Sequence, residues 1–217
     1  MDECCSPPRS AYDDAFDVRF AHQLARRYRR NGLTRPERRI VERLDSDGVA
    51  GTSVLEVGGG IGVIQLELLR HGASSTTNLE LSRAYEPVAR ALLDDAGFAA
   101  RARRLTGVDL ATEGARVDTA DHVVLHRVVC CYPDAVGLLA ASAAHARRSV
   151  VFSHPPRTWA RRAIVRVANL VMRLRGKEYR GYVHAPETMY RTLRTAGFAV
   201  DDIRRAGPWR IATAHRA

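Results

Sequence analysis

The stretch "LEVGGGIG" at residues 55–62 sets Glu56 and Val57 ahead of Gly58, Gly59, Gly60, Ile61 and Gly62. Four glycines in five positions cost stability, because glycine has the most backbone freedom to lose on folding. Such a run implies that something must approach the main chain closely. A second acid, Glu80, closes the apolar segment "TTNLE" 24 residues after Glu56, and Asp109 closes "LTGVD". An ionised carboxylate only accepts hydrogen bonds, and its two oxygens suit a pair of vicinal hydroxyls. Further on stand His126 in "VVLHRVV", Tyr132 before Pro133, and His154 in "FSHPP". Histidine titrates near neutral pH and can take a proton, and a tyrosine can stack on or donate to a ligand. Cys4-Cys5 and Cys130-Cys131 are adjacent pairs without the spacing of a metal or redox CxxC.

These residues need a frame. Two helical patterns open the chain, at 14–32 and 34–48, with Thr34 able to cap the second and Pro36 in its first turn. Strand patterns follow at 52–57, 76–82, 102–110, 121–128 and 149–153, separated by helical patterns at 62–72, 85–97 and 135–148. A basic amphipathic helix over 158–175, a helix over 185–197 and strands at 198–203 and 209–216 complete the chain. Strands alternating with helices predict an α/β, doubly wound, mostly parallel sheet. The division expected is a helical arm over 1–48 and one structural unit over 49–217. In such sheets ligands sit outside the carboxyl ends of the strands, where the glycine run, Glu80, Asp109 and His126 all fall.

Three readings compete for the glycine loop. It could be a tight turn without a ligand, although four glycines behind an acid fit that poorly. It could hold a dinucleotide on a G-x-G-x-x-G turn, but from Gly58 and Gly60 the third glycine position is Val63, and from Gly59 the second is Ile61. The third reading is a match to E-x-G-x-G-x-G. On that motif the chain from about residue 50 to its end resembles the class I S-adenosylmethionine-dependent methyltransferases. The resemblance implies a Rossmann-like, seven-stranded sheet with an antiparallel C-terminal strand. It implies S-adenosylmethionine as cofactor, S-adenosylhomocysteine as product, and no metal. The cofactor would lie on Gly58, Gly59, Gly60 and Gly62, with Glu56 facing its charged amino acid end and Glu80 holding the ribose. Asp109 would hold the adenine amino group, with Leu81, Leu110 and His126 lining the pocket.

A sulfonium methyl is already activated, so alignment with a nucleophile does most of the work, and a base is needed only for an acceptor that arrives protonated. His126, His154 and Tyr132 are the candidates at the acceptor. The cysteines admit another acceptor, a thiophilic metalloid held by Cys130, Cys131 and the Cys4-Cys5 pair, or else a purely structural role. The region "YRGYVHAPETMYRTLRTAGF" and the turn "YPD" are similar to magnesium-protoporphyrin O-methyltransferases. That likeness implies a small, largely apolar acceptor methylated on oxygen, without identifying it.

Charge leaves a rival open. The chain has 217 residues, a net charge of +10 and one lysine, Lys177, among 34 basic residues. Eight arginines fall in 26–43, and seven with Lys177 in 157–180. Two basic blocks could grip RNA. However, no N-P-P-Y-type motif follows the fourth strand, and no specific nucleic acid is expected. A cofactor-binding scaffold without turnover also stays open. In the helix over 158–175, Ala160, Ile164, Val167, Ala168 and Val171 read as one face, with Arg162, Arg166, Asn169 and Arg173 opposite. It is either an outer helix packed on the sheet or an interfacial helix at an anionic membrane surface. With no signal-peptide pattern in "MDECCSPPRS", the expected location is cytoplasmic, with peripheral contact to the inner membrane face through 158–175.

Overall fold

The computed structural model describes residues 9–217. Three helices, α1 (Arg9–Ala15), α2 (Val18–Asn31) and α3 (Arg35–Ser46), precede the first strand. The alternating part runs β1 (Ser53–Val57), α4 (Val63–Arg70), β2 (Ser75–Glu80), α5 (Glu86–Asp95), β3 (Ala102–Thr106), α6 (Leu110–Glu113) and β4 (Ala120–Leu125). It continues through α7 (Ala135–His145), β5 (Ala146–His154), α8 (Trp159–Leu174), α9 (Pro186–Thr195), β6 (Phe198–Ala206) and β7 (Trp209–Arg216). The seven strands form one sheet in the order β3-β2-β1-β4-β5-β7-β6. Only β7 runs against the others, pairing antiparallel with β5 and β6. The order reverses between β1 and β4, which is where a doubly wound sheet opens a crevice.

Side chains alternate across a sheet with period two, and this alternation fills two cores. Leu55, Val57, Val123, Leu125, Val150 and Phe152 point to the side of α7 and α9, against Leu138, Leu139, Met189 and Leu193. Val54, Val124 and Val151 point to the other side, against Ala25, Leu44, Ile64 and Leu92 of α2, α3, α4 and α5. The N-terminal helices therefore share a core with the sheet. Ile40 and Leu44 of α3 are fully buried there, each worth roughly 1.5–3 kcal/mol in burial.

Several boundaries differ from the sequence expectation for local reasons. The pattern at 14–32 is two helices, because Asp17 caps α2 by accepting the Phe20 N–H at 2.8 Å. The third strand stops at Thr106, where Gly107 turns at φ 71°, so Asp109 caps α6 instead of ending a strand. The fourth stops at Leu125, because Arg127 sits at φ 61°, a backbone region that side chains disfavour. The larger difference is α8. None of its residues is buried and none joins either core, so it is not packed on the sheet as an outer helix.

Candidate functional site

A cavity of about 320 Å³ lies at the carboxyl ends of β1, β2 and β4, with residues of α1 and α2 over it. That volume is at the small end of the range for ligand sites. Its floor is the glycine loop, and the loop's geometry accounts for its composition. Gly60 takes φ 56°, and a Cβ there would meet nothing closer than Tyr85 at 3.9 Å, so the backbone conformation alone calls for glycine. Gly59 is required by proximity, because a Cβ there would collide with Asn78 Nδ2 and the Glu56 carboxyl. Gly58, Gly59 and Gly60 line the cavity. Gly62 does not: it initiates α4 in the left-handed conformation, against Gln65 and Arg104.

Glu56 also departs from its expected place. It is buried beneath the loop, on the α4 side of the sheet, and is not part of the cavity wall. Its Oε2 accepts the Gln65 N–H at 3.2 Å and Asn78 Nδ2 at 2.9 Å. Burial pushes its acid up to about 8, against the pull of Arg104 and these hydrogen bonds. Glu56 thus fills the N-terminal end of α4 from below, where a dinucleotide fold would keep room for pyrophosphate.

Glu80 is placed where the sequence puts it, at the end of β2 on the cavity wall. Its Oε2 accepts the Gly60 N–H at 2.7 Å and its Oε1 the Ser82 N–H at 2.9 Å. Burial raises its acid, opposed by these main-chain donors. Each oxygen keeps a lone pair for a further donor. Leu81, Asp109 and Leu110 continue the wall. Asp109 accepts the Ala111 N–H at 3.0 Å and the Tyr132 hydroxyl at 2.9 Å. Tyr132 is therefore oriented by Asp109 and lines the same end of the cavity.

His126 lies at the opposite end, with Nδ1 at 3.0 Å from Ser153 Oγ and its ring edge-on to Trp209. Ser153 Oγ also accepts the Arg127 N–H at 2.8 Å. Burial pushes the His126 imidazole down to about 4, with Glu37 acting against that, so it is neutral at pH 7. His154 is not brought to this site. One residue after Ser153 on β5, it points to the other face of the sheet, where Nε2 meets the Tyr190 hydroxyl at 2.7 Å and Nδ1 the Pro155 carbonyl at 3.0 Å. It is fully buried with both nitrogens engaged, so it cannot reach a ligand in the cavity.

Cys130 and Cys131 line the cavity with their sulfurs 3.6 Å apart. Each thiol reaches the Arg127 carbonyl, and Cys131 Sγ also accepts from the Tyr179 hydroxyl at 2.9 Å. The hydrogen bond between the two, with burial, raises the Cys130 thiol, and the same bond lowers that of Cys131 against the effect of burial. Cys4 and Cys5 lie outside the described residues, and among those described no group of three metal-ligating side chains forms.

The sequence reading missed several residues of the site. Tyr12, Phe16 and Phe20 cover the cavity, with Phe16 edge-on to Tyr179 at 5.2 Å. Arg27 and Glu37 contribute a paired charge at 3.3 Å. Arg104, almost fully buried on β3, donates to the Gly60 carbonyl and to Glu86, both at 2.8 Å, bracing the loop from behind.

No protein-family model matches the chain, and no curated protein matches it in sequence. Solved structures do match in fold. Magnesium protoporphyrin IX methyltransferase from Synechocystis PCC 6803, with bound S-adenosylhomocysteine, is 21% identical with a TM-score of 0.68, over 96% of this chain and 92% of that one. An O-methyltransferase family protein from Burkholderia thailandensis is 18% identical with a TM-score of 0.71, over 94% and 61%. An O-methyltransferase family 2 protein from Planctomyces limnophilus in complex with apigenin is 13% identical with a TM-score of 0.68, over 92% and 62%. The chain thus spans nearly all of the first and about three fifths of the other two. It has the class I methyltransferase fold, with the seven strands and the antiparallel C-terminal strand that the resemblance implies.

Proposed function

We propose that the chain is an S-adenosylmethionine-dependent methyltransferase acting on a small, apolar or aromatic acceptor, most simply at an oxygen. The observation that carries this reading is Glu80, fixed at the cavity wall by the Gly60 N–H with acceptor capacity to spare. The residues fit the cofactor. Gly58–Gly60 offer main chain to its methionine portion, Glu80 accepts its two ribose hydroxyls, and Leu81, Asp109 and Leu110 border its adenine. Glu56, filling the start of α4 from below, disfavours a dinucleotide there.

When bound, the cofactor supplies a methyl group on a sulfonium, ready for in-line transfer. The chain's own part is to align the acceptor and to take its proton. Tyr12, Phe16 and Tyr179 present an aromatic boundary that excludes water and suits a flat apolar acceptor. His126 is neutral and at the cavity, as a base must be. In the tautomer whose Nδ1–H donates to Ser153 Oγ, Nε2 is the nitrogen that accepts the acceptor's proton.

Calorimetric titration tests the cofactor. Micromolar binding of S-adenosylhomocysteine without measurable NAD binding supports the reading, and the reverse order ends it. Incubation with isotope-labelled S-adenosylmethionine and a cell extract then identifies the acceptor by its labelled product.

A further inference from the structure

The α8 helix is amphipathic in an unusual sense, because its apolar side is the one left in solvent. Trp159, Ile164, Val167, Leu170, Val171 and Leu174 are between 38% and 84% exposed. At 100° per residue they sweep an arc of roughly 140° along the helix. The side turned toward the protein is narrower, formed by the half-buried Arg161, Val165, Asn169 and Met172. Asn169 clasps Gly181 there, donating from Nδ2 to its carbonyl and accepting its N–H, both at 2.8 Å. Arg162, Arg166 and Arg173 line one flank of the apolar arc and Arg175 the other, and no acidic residue occurs from 157 to 177.

We infer that α8 is the docking surface of the protein for an anionic lipid bilayer. An apolar arc flanked by guanidinium groups is the pattern of a helix lying in the interface plane, with its apolar side below the headgroups and its charges among them. A soluble partner of mixed charge would leave the arginines on both flanks unmatched, whereas a bilayer of anionic headgroups meets both at once. The large exposed apolar side chains gain by burial in lipid what the protein's own two cores do not give them.

The clasp also fixes where the cavity stands. Gly181 is followed by Tyr182, whose N–H donates to the Cys130 carbonyl at 2.8 Å, and Tyr179, two positions before Gly181, donates to Cys131 Sγ. Docking through α8 therefore sets the wall of the cavity formed by Cys130, Cys131 and Tyr179 beside the bilayer. If the methyltransferase reading holds, on which this step rests, the acceptor class is one dissolved in the membrane.

Sedimentation with phosphatidylcholine vesicles, with and without about one third phosphatidylglycerol, tests the docking on the full chain. Binding to anionic vesicles should exceed binding to neutral ones by about tenfold at 0.1 M salt. The double variant V167E/L170E should lower it by about tenfold or more, and R162E/R166E should remove the preference for anionic lipid. Both variants should keep an unchanged circular dichroism spectrum and bind S-adenosylhomocysteine within about twofold of the wild type, since neither touches the cavity. Equal binding to both vesicle types, or vesicle binding unaffected by V167E/L170E, overturns the proposal. So does a wild-type dimer in solution that V167E/L170E dissociates, because a second copy would then cover the face. A wild type that binds vesicles but not S-adenosylhomocysteine would overturn the methyltransferase reading alone.

Discussion

The Gly60 N–H donates to Glu80 Oε2 at 2.7 Å, tying the glycine loop to the acid at the end of β2. The same carboxylate accepts the Ser82 N–H through its other oxygen, so it is held in one orientation. Replacing it removes an acceptor from desolvated ligand hydroxyls and frees the loop. Glu80→Ala should weaken S-adenosylhomocysteine binding by about 1–3 kcal/mol, roughly 5- to 150-fold in Kd. Unchanged affinity by calorimetry would take Glu80 out of the site.

Glu56 should show itself in stability, not in binding. Its acid is pushed up to about 8 by burial, against an ordinary value of 4.5, so the folded state holds its proton more tightly than the unfolded state. Its contribution is then fully present below about 4.5 and is lost as pH rises through about 8. Glu56→Gln keeps an acceptor for the Gln65 N–H without the proton. The unfolding free energy of the wild type relative to this variant should therefore fall from pH 5 to pH 8 in urea titrations. A difference that stays level would mean that Glu56 is ionised in the folded protein. Affinity for S-adenosylhomocysteine should change by less than about threefold, because the carboxyl lies behind the loop.

For His126 the test separates turnover from binding. His126→Ala should lower kcat by about 10²-fold or more, in the range of general-base catalysis, while cofactor affinity stays within about threefold. Its imidazole is pushed down to about 4, so it remains an unprotonated base from pH 8 to pH 5. The kcat profile should therefore show no histidine limb near 6.5. Equal losses in kcat and in cofactor affinity would reassign His126 to the cofactor pocket.

The cysteines divide two acceptor classes. Their sulfurs lie at the cavity, yet each is engaged with the Arg127 carbonyl, and Cys131 with the Tyr179 hydroxyl. Serine can make the same hydrogen bonds, so Cys130→Ser and Cys131→Ser should each keep activity within about threefold. Methyl transfer to a trivalent arsenical, abolished by either substitution, would install the metalloid reading instead.

How much of this was legible in the sequence depends on the range of the interactions. Strand patterns and glycine turns are local, so the sheet, the loop and Glu80 could be read directly. The direction of a side chain is local too, once the strand register is known. His126 and Ser153 share one face of the sheet, and period two sends His154 to the other, toward Tyr190. The histidine before Pro155 gave no sign of this without the strand end, which falls at His154 itself. What closes the cavity was not legible. Tyr12, Phe16 and Arg27 reach it from helices over a hundred positions away from Cys131 and Tyr179, and no spacing encodes that meeting. Arg104 reads as one charge in a weak strand, and only the fold reveals it as a buried brace.

The two basic blocks differ in how much of their charge is already answered, and this bears on RNA. In the first, Arg27 pairs with Glu37, Arg29 with Asp95, Arg39 with Glu42 and Arg43 with Asp47. A polyanion would have to displace these carboxylates to use the four arginines they hold, half of the eight in that block. The second block centres on α8, which holds four of its seven arginines beside an apolar face that phosphates cannot use. Each phosphate contact on a single strand contributes about 0.7 to the slope of log affinity against log salt. RNA binding should therefore be weak at low salt and lost by about 0.15 M, with a slope that reports the few contacts α8 can make. R162E/R166E should remove most of it while turnover on a soluble acceptor is spared. Submicromolar, sequence-selective binding that survives physiological salt would reverse this assignment and make RNA the substrate.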